Sequence, residues 1–234
     1  MKNRLFIIGL LILVLSLSGC TRIRKSGLDF EEEYESVNGV VIKDDLTYRV
    51  LDIRKDNPYV KVTPKEIVEK IENKESFYLY VGDTLCPWCR SGLEKMIDVA
   101  IEKGIKNIYY IDFWDDNHNE ILRDLYEVSK VDNKYKVVKT KDATEEYTKI
   151  LEAVSEFAQD YTIVKDDKTY DVGEKRIFGG DHFYFEKGTC IRYVSLRSDK
   201  LQKWYDELTD EVLLDQETKF KEFFTTSTCD DNNC

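Results

Sequence analysis

Phe77-Tyr78-Leu79-Tyr80-Val81-Gly82-Asp83-Thr84-Leu85-Cys86-Pro87-Trp88-Cys89 is the stretch whose reading decides the fold. Its first five residues are apolar or aromatic on both faces, the pattern of a central strand covered on two sides. After the cysteines, Leu93, Met96, Ile97, Ala100 and Ile101 recur at helical spacing. The reading is strand, tight turn, paired cysteines, helix. A helix start offers unpaired N–H groups and the positive end of its dipole, and both favour a thiolate, the reactive form of cysteine. Pro87 suits a first helical turn, where a missing N–H costs nothing. Two intervening residues allow Cys86 and Cys89 to meet as a disulfide. A lone Cys-x-x-Cys can also bind metal or simply brace a turn. Structural zinc needs further ligands, and this chain has no second such pair and two histidines.

The chain has 234 residues, 42% of them hydrophobic and 12% aromatic, enough for a folded core. Its formal net charge of −11 argues against nucleic acid and against a polybasic grip on anionic lipid, because both targets are negative.

Lys2 and Arg4 precede an apolar run from Leu5 to Leu17, closed by Leu17-Ser18-Gly19-Cys20. The run is short for a membrane span and has the form of a signal peptide. Its end resembles the bacterial lipobox, which implies lipidation at Cys20 after removal of residues 1–19. The expectation is a protein held at the extracytoplasmic face of the cell membrane by lipid, where disulfides persist. Residues 20–38, with Glu31-Glu32-Glu33, read as a polar tether.

The folded domain is expected over 39–225. Val40 to Ile53 suggests a small hairpin or added edge strand, and Tyr59-Val60-Lys61-Val62 a strand. Thr63-Pro64-Lys65-Glu66 has the residues of a capped helix start, followed by Ile67, Val68 and Ile71 on one face. The helix after the cysteines should stop at Lys103-Gly104. Ile108-Tyr109-Tyr110-Ile111 forms the next strand, which completes a βαβαβ order and implies a mostly parallel sheet. About 115–176 breaks that rhythm. It reads as a helical insertion with a small hairpin, one helix carrying Ile121, Leu122, Leu125 and Val128, the other Tyr147, Ile150, Leu151, Val154 and Phe157. His182 to Phe185 and Cys190 to Val194, joined by Glu186-Lys187-Gly188, form a hairpin. Leu201, Trp204, Tyr205 and Leu208 suggest one helix, and Leu213, Phe220 and Phe224 another. Residues 226–234 form a polar tail.

This order, with Cys86-Pro87-Trp88-Cys89 opening the second helix, resembles the thioredoxin superfamily over about residues 58–221. More narrowly it is similar to extracytoplasmic thioredoxin-like lipoproteins of Gram-positive bacteria. That likeness rests on Cys86 to Arg90, on Gly173-Glu174-Lys175-Arg176-Ile177 and on the tail cysteines. The resemblance implies an α/β thioredoxin-like fold, a central mixed sheet flanked by helices, with the insertion before the C-terminal hairpin. It implies a monomeric thiol–disulfide oxidoreductase with no cofactor and no metal, acting on protein or peptide thiols and disulfides. Cys86 would be the exposed attacking thiol and Cys89 the buried resolving one. Pro87, Trp88, Gly180 and Asp181 would meet substrate.

The chain departs from that family twice. The cis-proline loop that should face the cysteines falls on Phe178-Gly179-Gly180-Asp181-His182, and none of Pro58, Pro64 and Pro87 lies there. A non-proline cis bond would cost about 3 kcal/mol, so a trans peptide is expected, with Gly179-Gly180 absorbing the change. Tyr80 stands where thioredoxin buries an acid. Cys229 and Cys234 suit an accessory disulfide, either a second exchange pair or a plain brace. Cys190 reads as a small buried strand residue and His118 as exposed. A competing arrangement has Cys86, Cys89, Asp181 and His182 holding a metal, or an inactive binding module.

Overall fold

The computed structural model describes residues 23–115, 119–132 and 134–225. The expected signal segment, Cys20, His118, Cys229 and Cys234 lie outside the described residues. Among those described, no helix is long and apolar enough to cross a membrane.

The stretch around Tyr80 becomes a central strand, as its two-sided apolar pattern requires. Five strands form one mixed sheet: β3 (Tyr59–Lys61), β4 (Phe77–Gly82), β5 (Ile108–Asp112), β10 (Asp181–Glu186) and β11 (Thr189–Ser195), in the order β11-β10-β4-β5-β3. β3, β4 and β5 run parallel, while β10 runs antiparallel to both β4 and β11. Alternation along β4 sends Phe77, Leu79 and Val81 to one core and Tyr78 and Tyr80 to the other. α2 (Pro64–Glu72) and α4 (Glu145–Ala153) cover the first face, with Ile67, Tyr147 and Ile150 buried. α3 (Leu93–Glu102) and α5 (Asp210–Phe223) cover the second, with Leu93, Met96, Phe220 and Phe223 buried. α2 starts with the capping box read from the sequence: Glu66 N–H donates to the Thr63 hydroxyl, and Thr63 N–H donates to the Glu66 carboxylate. α3 ends at Glu102 with Lys103 as its C-cap, and Gly104 follows at φ +72°, the left-handed stop that glycine takes without strain.

Three sequence expectations are corrected. Within the expected tether of 20–38, the described residues do not form one. Ile23–Glu35 forms helix α1, with Phe30 and Tyr34 fully buried against Tyr59, Tyr80 and Tyr110. Phe30 stacks on Tyr59 at 4.3 Å between ring centroids. This i,i+4 aromatic pair outweighs the solubility of the intervening glutamates.

The insertion is mostly strand. β6 (Leu125–Val131) pairs with β7 (Lys134–Lys141), and β8 (Gln159–Lys165) with β9 (Lys168–Arg176), as two antiparallel hairpins; α4 is its one helix among the described residues. Leu125 and Val128 lie on β6, where only Val128 is buried, because β-branched and aromatic residues on both sides favour pairing over a helical turn. Residues 201–208 form turns rather than a helix; Leu201 is buried, while Trp204 and Tyr205 pair edge to face. The early hairpin is confined to β1 (Val41–Lys43) and β2 (Leu46–Thr47), with Asp44 at φ +53° in its turn.

Candidate active site

β4 ends at Gly82, and the chain turns through Asp83 to Trp88 before any helix begins. Cys89–Ser91 forms a single 3₁₀ turn, and the α-helix starts only at Leu93. The cysteines therefore sit in the turn leading to the helix rather than on its first residues. Cys86 and Cys89 are joined by a disulfide, with their Cα atoms 5.3 Å apart. Cys86 is half-buried, and Cys89 is 1% exposed within the core beside Leu93 and Leu196. The Cys89 N–H points at the Cys86 sulfur at 3.1 Å. Asp83 sets this turn: its carboxylate accepts the Leu85 N–H at 2.8 Å, and its carbonyl accepts the Cys86 N–H at 3.1 Å. Burial raises the Asp83 carboxyl above the usual carboxylate range.

Gly179 and Gly180 lie against the pair. A Cβ on Gly179 would stand 3.4 Å from the Cys89 sulfur and 3.1 Å from the Asp83 Cβ. One on Gly180 would stand 3.3 Å from the same sulfur, and Gly180 has φ +99°. No cis peptide bond occurs among the described residues, so this loop passes the cysteines in trans.

The four expected substrate-contact residues separate into two kinds. Pro87 and Trp88 are half-buried beside Cys86. The Gly180 N–H donates to Val81 and its carbonyl accepts the Leu196 N–H, so its backbone belongs to the sheet. Asp181 is 2% exposed, and its carboxylate accepts the Phe178 N–H and the Tyr193 hydroxyl, both at 2.9 Å. Its side chain is spent inside the fold, which corrects its placement on the substrate edge. Burial pushes this carboxyl up to about 6. His182 is fully buried: Nε2 meets the Tyr59 hydroxyl at 2.8 Å, and the ring stacks on Tyr80 at 4.3 Å. Burial holds His182 down at about 3. The cysteines, Asp181 and His182 thus do not assemble as a metal site. Among the described residues, no group of three His, Cys, Asp or Glu is placed to hold one. Tyr80 is buried and bonds through its hydroxyl to Tyr34 at 2.8 Å. Cys190 is buried, and its thiol is pushed up to about 12.

Two arginines matter that the motif alone did not single out. Arg90, directly after Cys89, is 1% exposed. Its guanidinium donates to the Arg49 carbonyl at 2.8 Å, to the Tyr34 carbonyl at 2.7 Å and to the Asn38 side-chain oxygen. It ties the end of α1 and the segment around Arg49 to the cysteine turn. Arg197, beyond β11, is exposed and lies over the Trp88 ring at 4.4 Å from its centroid. Neither role has a local sequence signal, because each partner is more than forty residues away in sequence.

No protein-family model matches the chain, and no curated protein matches it.

Proposed function

We propose that the protein is a thiol–disulfide oxidoreductase of thioredoxin-like architecture, working through Cys86 and Cys89. The observation that carries this reading is the asymmetry of the bonded pair: Cys86, half-buried, has a sulfur that receives an N–H, and Cys89 is sealed in the core. A sulfur so placed is the one an outside partner reaches, and the aimed N–H favours its thiolate.

In the dithiol form, the Cys86 thiolate attacks one sulfur of a substrate disulfide. A Cys86–substrate bond forms and one substrate thiolate leaves. The Cys89 thiolate then attacks the Cys86 sulfur, releasing the second substrate thiolate and closing the Cys86–Cys89 disulfide. Two electrons pass to substrate, and two protons follow to the thiols released. The reverse sequence oxidises substrate thiols. The buried carboxylate of thioredoxin has no counterpart at Tyr80, so proton release on this reading does not run through that position. The glycines at 179 and 180 let backbone approach the sulfurs where a side chain would obstruct. Lipid anchorage at Cys20, outside the cell, belongs to the same proposal and rests on the Leu5–Cys20 pattern.

The test is trapping. Cys89→Ser, reduced and incubated with a disulfide-containing peptide, should hold a mixed disulfide on Cys86 that dithiothreitol releases. Cys86→Ser should hold none. A wild-type dithiol that leaves every peptide and insulin disulfide intact would sink the reading.

A further inference from the structure

We propose that Arg197 and Trp88 form a carboxylate-reading subsite beside Cys86, so that the preferred substrate is a peptide disulfide with an acidic residue next to its cysteine. This rests on the redox reading and names its substrate class.

Arg197 is an exposed cation on a chain of net charge −11. Its guanidinium lies over the ring of Trp88, which stands between the two cysteines in sequence, and among the described residues it has no carboxylate partner. Acids on the neighbouring segments are otherwise engaged. The Asp215 carboxylate accepts the Ser198 hydroxyl at 2.6 Å. Asp215 and Asp199 also face Lys219, whose ammonium donates to the Arg197 carbonyl. Asp83, the carboxylate against Gly179, is turned onto the Leu85 N–H.

Contact with the ring face restrains the guanidinium, and among the described residues its N–H groups donate to no protein acceptor. A guanidinium in that state meets a carboxylate through two parallel hydrogen bonds. Trp88 contributes an apolar platform for the substrate's own side chain. The acidic body repels anionic partners at long range, so selection falls on one acidic residue close to the reacting sulfur rather than on an acidic protein as a whole.

The test uses the full chain, reduced with dithiothreitol and desalted. Three peptide disulfides differ only in Glu, Gln or Lys next to cysteine, and released peptide thiol is measured by chromatography. At about 0.01 M ionic strength, kcat/KM for the Glu peptide should exceed that for the Lys peptide about fivefold. At about 1 M salt the ratio should approach one. Arg197→Ala should abolish the preference for Glu, Arg197→Lys should keep the order, and Arg197→Glu should favour the Lys peptide more strongly than Arg197→Ala does. Equal rates for Glu and Lys in the wild type, or the same ranking in Arg197→Glu, would overturn the subsite while leaving exchange itself intact. Failure of the Gln peptide to react at all would instead bring down the redox reading and the subsite together.

Discussion

Asp181 and His182 are adjacent, both buried, and titrate in opposite senses, so substituting one should expose the other. Asp181 rises from its ordinary 3.8 to about 6 on burial. Between those values the folded protein carries one proton more than the unfolded chain. Stability from this group is therefore full below pH 3.8 and is lost as the pH rises through 6. His182 falls from 6.5 to about 3. Between those values the unfolded chain carries the extra proton. Stability from this group is full above pH 6.5 and is lost as the pH falls toward 3. From about pH 4 to pH 6 the two slopes, each about 1.4 kcal/mol per pH unit, cancel. Asp181→Asn keeps an acceptor for the Phe178 N–H and removes the carboxylate. The variant-minus-wild-type unfolding free energy should then rise by about 3 kcal/mol from pH 4 to pH 6. His182→Gln should give the mirror result, a fall of about 3 kcal/mol over the same range. Urea melts followed by tryptophan fluorescence at several pH values measure both. Because other carboxylates are common to all three proteins, they drop out of the differences. A difference curve for Asp181→Asn that is flat, or that slopes downward, would refute the assignment of these charges to the buried pair.

Three other outcomes follow. Phe30→Ala should destabilise the protein by about 3–5 kcal/mol in chemical denaturation, since it empties a fully buried site against Tyr59 and Tyr110; a neutral result would restore the tether reading. Arg90→Ala should cost about 3 kcal/mol or more, because it strands the Tyr34 and Arg49 carbonyls and leaves the Asn38 oxygen with the Leu51 N–H alone. Arg90→Lys should recover little of this, as one ammonium cannot span three acceptors held by a planar fork; full recovery would show that charge alone matters. In protein reduced under native conditions, iodoacetamide should label Cys86 well ahead of Cys190, whose thiol is buried and pushed up to about 12, as read by peptide mass mapping; equal labelling would contradict the burial.

The parts of the fold that could be read from the sequence are those whose signal is local. The Thr63–Glu66 box, the run from Phe77 to Val81, the Gly104 stop and the hairpin around Gly188 each carry their instruction within a few residues. The elements that differ are those decided by distant partners. Phe30 and Tyr34 look sparse among glutamates until Tyr59, Tyr80 and Tyr110 supply a surface for them. Leu125 and Val128 satisfy a helical spacing as well as a strand, and the pairing with Lys134–Lys141 decides between them. At the site, the cysteine pair and the glycines opposite could be read directly. Asp181 could not, since residue type gives no notice that Phe178 and Tyr193 would claim its carboxylate.

The placement of α1 bears on the order in which the molecule can be completed. Among the described residues, the groups that hold this helix come later in the chain, Tyr59, Tyr80, Arg90 and Tyr110 among them. During vectorial synthesis, the first of the described helices to emerge has no complete surface to pack on until the strand bearing Tyr110 is out. Arg90 then closes three loops with one fork, at Tyr34, Asn38 and Arg49. The earliest-made helix of the described chain is thus a late arrival in the assembled structure, and the turn that carries the cysteines is the latch it waits for.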